Sequence, residues 1–180
     1  QAVPRVACKL GTIASSWFTP PSAAIRVMAV TGTNGKTTVA WLLAQCWQLL
    51  GERCGYIGTL GIGIDELADP YGLTTPDCIE LHRQLAVFRD DGARRVALEV
   101  SSHGLSQERL SGVQVDAAIF TNLSRDHIDY HGDMTAYGNT KARLFSEFSP
   151  RHKVICTDSE FGRTLAAASG TDAILVAASG

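Results

Sequence analysis

The chain has 180 residues, 45% of them hydrophobic and 19% charged, and its 16 lysines and arginines against 18 aspartates and glutamates leave a formal charge of −2. About one domain's length with this balance excludes a collagen, a coiled coil and a disordered charged tail. It also supplies no basic field for gripping nucleic acid through its backbone, so any bound polyanion must be held by a local device. The five cysteines, Cys8, Cys46, Cys54, Cys78 and Cys156, form no CxxC pair and fit neither a zinc site nor a disulfide framework, so they read as reduced thiols of a cytoplasmic protein. No apolar run is long enough for a membrane span. The mildly apolar stretch Leu10–Ala24 is broken by Gly11, Ser15-Ser16 and Pro20-Pro21 and does not read as a signal peptide.

Val6, Leu10, Ile13, Ala14 and Trp17 fall at helical spacing, and Thr19-Pro20-Pro21 ends that helix and begins a connector. From Arg26 onward, short apolar strands alternate with amphipathic helices, the pattern of an α/β fold whose mostly parallel sheet carries helices on both faces. The predicted strands are Arg26–Thr31, Cys54–Gly58, Arg95–Val100, Ala117–Thr121, Lys153–Thr157 and Ala173–Val176. The predicted helices are Lys36–Leu50, Asp77–Asp91, a short turn near Leu105–Leu110, Ala136–Glu147 and Glu160–Ala168, with Gly51, Gly92 and Gly112 placed as C-terminal stops. Ligands collect outside the carboxyl ends of the strands in such sheets. Polar residues do cluster there, at Thr31–Thr38, Glu99–His103 and Asn122–His131.

The run Thr31-Gly32-Thr33-Asn34-Gly35-Lys36-Thr37-Thr38 stands between an apolar strand and an apolar helix. Glycines let main-chain amides close around phosphate oxygens, the helix start adds positive potential, Lys36 can reach the outer phosphates, and the Thr37 hydroxyl can ligate Mg²⁺. Val30 replaces the first glycine of the strict GxxxxGK[ST] pattern; the bland alternative is a glycine-rich turn with a surface lysine. Glu99 ends a hydrophobic strand, where an ionised carboxylate needs either a salt-bridging cation or Mg²⁺. His127, Asp129 and His131 alternate, which allows a transition-metal cluster or a helix start capped by Ser124 or Asp126. Lys141, on a helix with Leu144 and Phe145, reads from position alone as a solvated lysine. In Gly72–Asp77, Thr75 or Asp77 either caps the next helix or meets a ligand.

Taken in order, TGTNGKTT (31–38), TTP (74–76), EVSSHGL (99–105), QxR (107–109), TNLSRDHIDYHG (121–132) and YxxxKxxLF (137–145) resemble the ATP-binding central domain of the Mur ligases. The likeness is closest to the MurE type, which adds the third residue of the peptidoglycan stem peptide. Val30 is ordinary on this comparison, because the family's phosphate loop is the short GTNGKTT form. The resemblance implies that Gly32, Thr33, Asn34, Gly35, Lys36, Thr37 and Thr38 hold ATP, with Asn122 beside the nucleotide. It implies one Mg²⁺ at Thr37 and Glu99, and a second at His127 and a carbamylated Lys141. It further implies that Thr74, Thr75, Ser101, Gln107 and Arg109 contact UDP-N-acetylmuramoyl-L-alanyl-D-glutamate, that the second substrate is an amino acid, diaminopimelate or lysine, and that Asp129 and His131 do not ligate the metal directly; of the two amino acids meso-diaminopimelate is preferred for its breadth among bacteria.

Residues 1–25 would then be the end of an N-terminal domain with its connector. Residues 26–180 would be most of the central domain of a three-domain enzyme, a monomer when complete. The cut sheet would leave an exposed edge, and the fragment alone would be inactive. Competing readings are another ligase of the superfamily, such as a folylpolyglutamate synthase, and a non-catalytic nucleotide-binding module. Neither NKxD nor a strand ending in DxxG, the marks of a GTPase, occurs.

Overall fold

Alternation of apolar residues along β1 (Arg26–Thr31) divides the core in two. Val27 and Ala29 face one layer of helices while Met28 and Val30 face another, as period-2 geometry requires. The computed structural model describes residues 6–68 and 72–177. In chain order the elements are α1 (Val6–Trp17), α2 (Pro21–Ala24), β1, α3 (Lys36–Leu49), β2 (Cys54–Gly58), β3 (Gly61–Gly63), β4 (Leu67–Ala68), α4 (Cys78–Asp90), β5 (Arg95–Glu99), α5 (Ser102–Ser106), β6 (Val115–Phe120), α6 (Ile128–His131), α7 (Met134–Ser146), β7 (His152–Cys156), α8 (Glu160–Ala168) and β8 (Ala173–Val176).

The strands form one eight-stranded sheet in the order β4-β3-β2-β5-β1-β6-β7-β8. β2, β5, β1, β6, β7 and β8 run parallel, while β3 and β4 add antiparallel ribbons at one edge. The path from β1 to β2 moves toward one edge and carries α3; every later parallel step moves the other way. Right-handed crossovers therefore put α3 alone on one face and α4, α5, α7 and α8 on the other. Side chains agree. Ala40 and Ala44 of α3 lie over Met28, Val30, Tyr56 and Ala97. On the opposite face, Leu81, Leu85, Leu105, Leu144 and Leu165 cover Val27, Ala29, Leu98, Phe120 and Ile155. Each fully buried leucine there, such as Leu85, contributes about 1.5–3 kcal/mol.

The expected parallel α/β sheet is present, with boundary shifts of one or two residues. β3 and β4 are additions, the first mostly glycine and both too short to announce themselves by alternation. The expected turn at Leu105–Leu110 is instead a helix starting three residues earlier, because Ser101 caps it by accepting a bond from the Gly104 amide. The helix over 128–131 has no side-chain cap, so neither Ser124 nor Asp126 fills the capping role that the spacing allowed; Asp133 instead caps α7. Asp77 caps α4 through the Ile79 and Glu80 amides, which resolves the alternatives at 75–77: Asp77 holds the helix and Thr75 points elsewhere. Among the described residues β8 is the outermost strand on its side of the sheet, with Ile174 and Leu175 exposed.

Candidate active site

Three strands that are neighbours in the sheet, β5, β1 and β6, deliver their following loops to one place. The register puts Glu99 beside Val30 and Phe120 beside Thr31, so the glycine loop, the 99–103 segment and the 121–131 segment meet above the same strand ends.

The glycine loop is tied down by the segment after β6. Asn34 donates its amide to Asn122 Oδ1 at 3.0 Å, and its carbonyl accepts from Asn122 Nδ2 at 3.0 Å and from Thr121 Oγ1 at 2.6 Å. Thr33 Oγ1 accepts from the Ser124 amide at 2.9 Å. Gly32 is required by proximity, since a Cβ built there would stand 1.9 Å from Thr121 Oγ1, and Gly35 turns into α3 at a φ of 81°. Lys36 Nζ reaches back over the loop to the carbonyls of Thr33 (2.8 Å) and Gly32 (3.1 Å). Thr38 follows on the exposed first turn of α3.

Glu99 is fully buried, yet both carboxylate oxygens are served. Oε1 accepts from the Tyr56 hydroxyl and from the Thr59 amide (2.9 Å), and Oε2 accepts from Thr37 Oγ1 (2.9 Å) and Thr59 Oγ1 (3.3 Å). Among the described residues Glu99 has no lysine or arginine in an ion pair, so the salt-bridged reading is not met. Burial, and then Glu99 itself, push the Tyr56 phenol well above its ordinary pKa, so it stays protonated and donates.

Lys141 overturns the surface reading. Only 1% exposed, it donates to Gly32 O at 2.8 Å, and its ammonium lies 4.5 Å from the Tyr137 ring centre. Burial, reinforced by the Lys36 charge and opposed by Asp126, lowers its pKa to about 7. Tyr137 packs between this lysine and two imidazoles, with ring centres 6.2 Å from His127 and 5.1 Å from His131. His127 is exposed, in a left-handed backbone conformation, with Nε2 3.4 Å from Asp126 Oδ2. His131 Nε2 lies 2.9 Å from Ser102 Oγ, a contact that joins α6 to α5. Among the described residues no three His, Cys, Asp or Glu side chains converge as metal ligands, so the transition-metal cluster allowed by the 127–131 spacing is absent.

Thr74, Thr75, Ser101, Gln107 and Arg109 form one connected network on the same side. Thr74 Oγ1 is 3.1 Å from Thr59 Oγ1; Thr75 Oγ1 donates to the Glu99 carbonyl (2.9 Å) and accepts from the Ser101 amide (3.0 Å). Arg109 donates to Thr75 O (2.7 Å) and Gln107 Oε1 (2.6 Å), and Gln107 reaches Tyr130. Sequence reasoning did not single out Tyr56 or Thr59, and Tyr137 and His103 entered it only as members of quoted motifs, with no role given. A tyrosine and a threonine on a strand end carry no motif signal, and only their meeting with Glu99 reveals them. A depression of about 770 Å³ bordered by Ile25, Arg26, Gln114 and Asp116 opens at the other end of the strands, away from all these groups.

A buried carboxylate oxygen and a threonine hydroxyl at a phosphate-type loop are hard oxygen donors of the kind Mg²⁺ takes alongside phosphate. The residues present therefore fit the expected ion. Among the described residues no helix is long and apolar enough to cross a membrane.

Residues 30–179 match the family model described as the Mur ligase middle domain. A UDP-N-acetylmuramoyl-L-alanyl-D-glutamate--2,6-diaminopimelate ligase of Xanthomonas campestris pv. campestris is 53% identical over 167 residues, 93% of this chain and 34% of that protein. One from Pseudomonas aeruginosa is 49% identical over 165 residues, 92% of this chain and 34% of its own. The chain thus spans about a third of the length of the curated relatives it matches. A solved structure of a ligase with the same name superposes with a TM-score of 0.85 at 35% identity, covering 98% of this chain and 37% of the other. A Mycobacterium tuberculosis folylpolyglutamate synthase complexed with ADP and AMPPCP reaches a TM-score of 0.74 at 19% identity over 94% of this chain and 46% of its own, a likeness of fold alone.

Proposed function

The chain belongs to the Mur ligase family, whose middle domain its residues 30–179 match, and from that premise we propose that the longer protein is an ATP-dependent ligase. Its reaction joins an amino acid, 2,6-diaminopimelate by the names of its relatives, to UDP-N-acetylmuramoyl-L-alanyl-D-glutamate. The observation that carries the proposal is the meeting of the Lys36 loop, the buried Glu99 with its Thr37 partner and the buried Lys141 above three adjacent strands. A folylpolyglutamate synthase is disfavoured, because that likeness stops at the fold while relatives near 50% identity carry muramoyl-ligase names.

A carboxylate is a poor electrophile, so the D-glutamate side chain must first accept the γ-phosphoryl group of ATP and become an acyl phosphate as ADP leaves; the incoming amine then attacks the acyl carbon, loses a proton and expels phosphate, leaving the amide. The protein contributes positioning and charge. Loop amides from Gly32 to Thr38 hold phosphate oxygens, and Lys36 leaves the Gly32 and Thr33 carbonyls for the outer phosphates. Thr37 and Glu99 would hold one Mg²⁺, and His127 with Lys141, as a carbamate, would hold a second. Bound there, Mg²⁺ supplies neutralisation of phosphoryl charge. Asn122, doubly bonded to Asn34, keeps the loop shaped beside the nucleotide. Thr74, Ser101, Gln107 and Arg109 present hydroxyl, amide and guanidinium groups to the muramoyl substrate, while Thr75, fully buried with its hydroxyl given to the Glu99 carbonyl, holds Ser101 and Arg109 in place.

Lys36→Ala in the full-length protein tests this reading. Phosphate release with UDP-muramoyl dipeptide and diaminopimelate should fall by about a hundredfold or more. Near-normal turnover would remove the assignment of the loop.

A further inference from the structure

Glu99 is held asymmetrically, and the asymmetry has a direction. Oε1 lies on the β2 side, against the Tyr56 hydroxyl and the Thr59 amide; Oε2 lies on the α3 side, against the Thr37 hydroxyl. The Tyr56 proton is also oriented. Its oxygen accepts from the Leu60 amide at 3.4 Å, which leaves the O–H to point at Oε1. The ring is enclosed: Tyr56 is fully buried, pairs edge-on with Trp41 at 5.3 Å between centres, and sits on β2 opposite Ala97, two residues before Glu99.

Gly58 completes the cradle. A Cβ built there would stand 2.1 Å from Glu99 Oε1 and 2.5 Å from the Tyr56 hydroxyl. Only a residue without a side chain lets the carboxylate approach β2 this closely. With two fixed donors, Oε1 has its lone pairs engaged, whereas Oε2 faces hydroxyls that rotate. Thr37 donates its proton to Oε2 and keeps its own lone pairs free.

We propose that Tyr56, with the Thr59 amide and the space left by Gly58, is a positioning residue: it locks Oε1 of Glu99 and so commits Oε2, with Thr37, to the divalent cation that accompanies the nucleotide. The inference rests on the nucleotide-and-magnesium reading above. Tyr56 touches no reacting atom and acts only through Glu99.

The test uses the full-length protein and two substitutions that disturb the cradle from different sides. Tyr56→Phe removes the donor and keeps the ring; Gly58→Ala keeps Tyr56 and crowds the carboxylate. Mn²⁺ binding to the ADP-loaded protein is read by electron paramagnetic resonance of the free ion, and ADP binding in EDTA by calorimetry. Loss of a group that orients a ligand weakens metal affinity by about 10–100-fold. Both variants should therefore bind Mn²⁺ at least about tenfold more weakly while ADP affinity in EDTA stays within about twofold. In turnover assays the apparent KM for Mg²⁺ should rise and kcat at saturating Mg²⁺ should largely return.

Mn²⁺ affinity unchanged in a folded Tyr56→Phe protein would overturn the proposal. So would equal losses with and without metal, the mark of a merely structural role. If Tyr56→Phe does not fold, Gly58→Ala decides by the same criteria. Failure of the wild-type protein to bind ADP in a metal-dependent way would instead sink the underlying reading.

Discussion

Lys141 offers the sharpest quantitative test, because its buried position changes its chemistry and not only its packing. An ordinary lysine with pKa near 10.4 is neutral in about one molecule in 2,500 at pH 7. Burial and then the neighbouring Lys36 charge bring Lys141 to about 7, so about half of the molecules carry the free amine at that pH, a gain on the order of a thousandfold. A neutral amine adds to CO₂ and loses a proton, giving a carbamate whose oxygens are anionic ligands. The dependence has a definite sign: the reactive amine increases as pH rises through 7 and disappears in acid. With ¹³C-bicarbonate at pH 8, ¹³C NMR should show one carbamate resonance that fades below pH 6 and is missing from Lys141→Met. Lys36→Met should leave the resonance in place, since burial is the larger cause of the lowered pKa. In the full-length protein Lys141→Ala should lose activity and recover part of it with short-chain carboxylates. The reasoning is refuted if no carbamate forms at pH 8, if the resonance survives Lys141→Met, or if unsupplemented Lys141→Ala turns over at the wild-type rate.

Two further outcomes concern stability. Asp77→Ala removes the side chain that accepts the Ile79 and Glu80 amides, which should cost about 1 kcal/mol and lower Tm by about 2–4 °C in a thermal melt; an unchanged Tm would show that the cap contributes nothing. His82 is fully buried with Nε2 2.9 Å from Ser111 O, and burial lowers its pKa below the usual 6.5. A group depressed in the folded state stabilises above its unfolded pKa and loses that contribution as pH falls through the folded value. Urea melts should therefore weaken below pH 6.5, and His82→Gln should flatten that dependence by up to about 1.4 kcal/mol per pH unit. An equal slope in both proteins would exclude His82 as the cause.

The parallel sheet was readable because its central strands are uninterrupted apolar runs with strong helical patterns between them, and α8 and β8 match their expected spans. β3 and β4 were not, since Gly61–Gly63 and Leu67–Ala68 offer too few side chains to show any period. The glycine loop was legible from local chemistry alone. Lys141 was not, because a lysine's burial depends on what lies across from its helix, here the Gly32 carbonyl 109 positions away. Tyr56 was invisible for the same reason: its partner Glu99 is 43 residues distant.

The convergence of β5, β1 and β6 also bears on folding. Sliding β5 by a single residue against β1 would turn Glu99 toward the leucine-rich layer under α4, because neighbouring strand positions face opposite ways. The Thr37–Glu99 and Asn34–Asn122 bonds span 62 and 88 residues, so neither forms through local structure. Loop closures of that length are slow steps. On the nucleotide-and-magnesium reading, metal-dependent nucleotide capture would therefore report that these distant strands have come together in register.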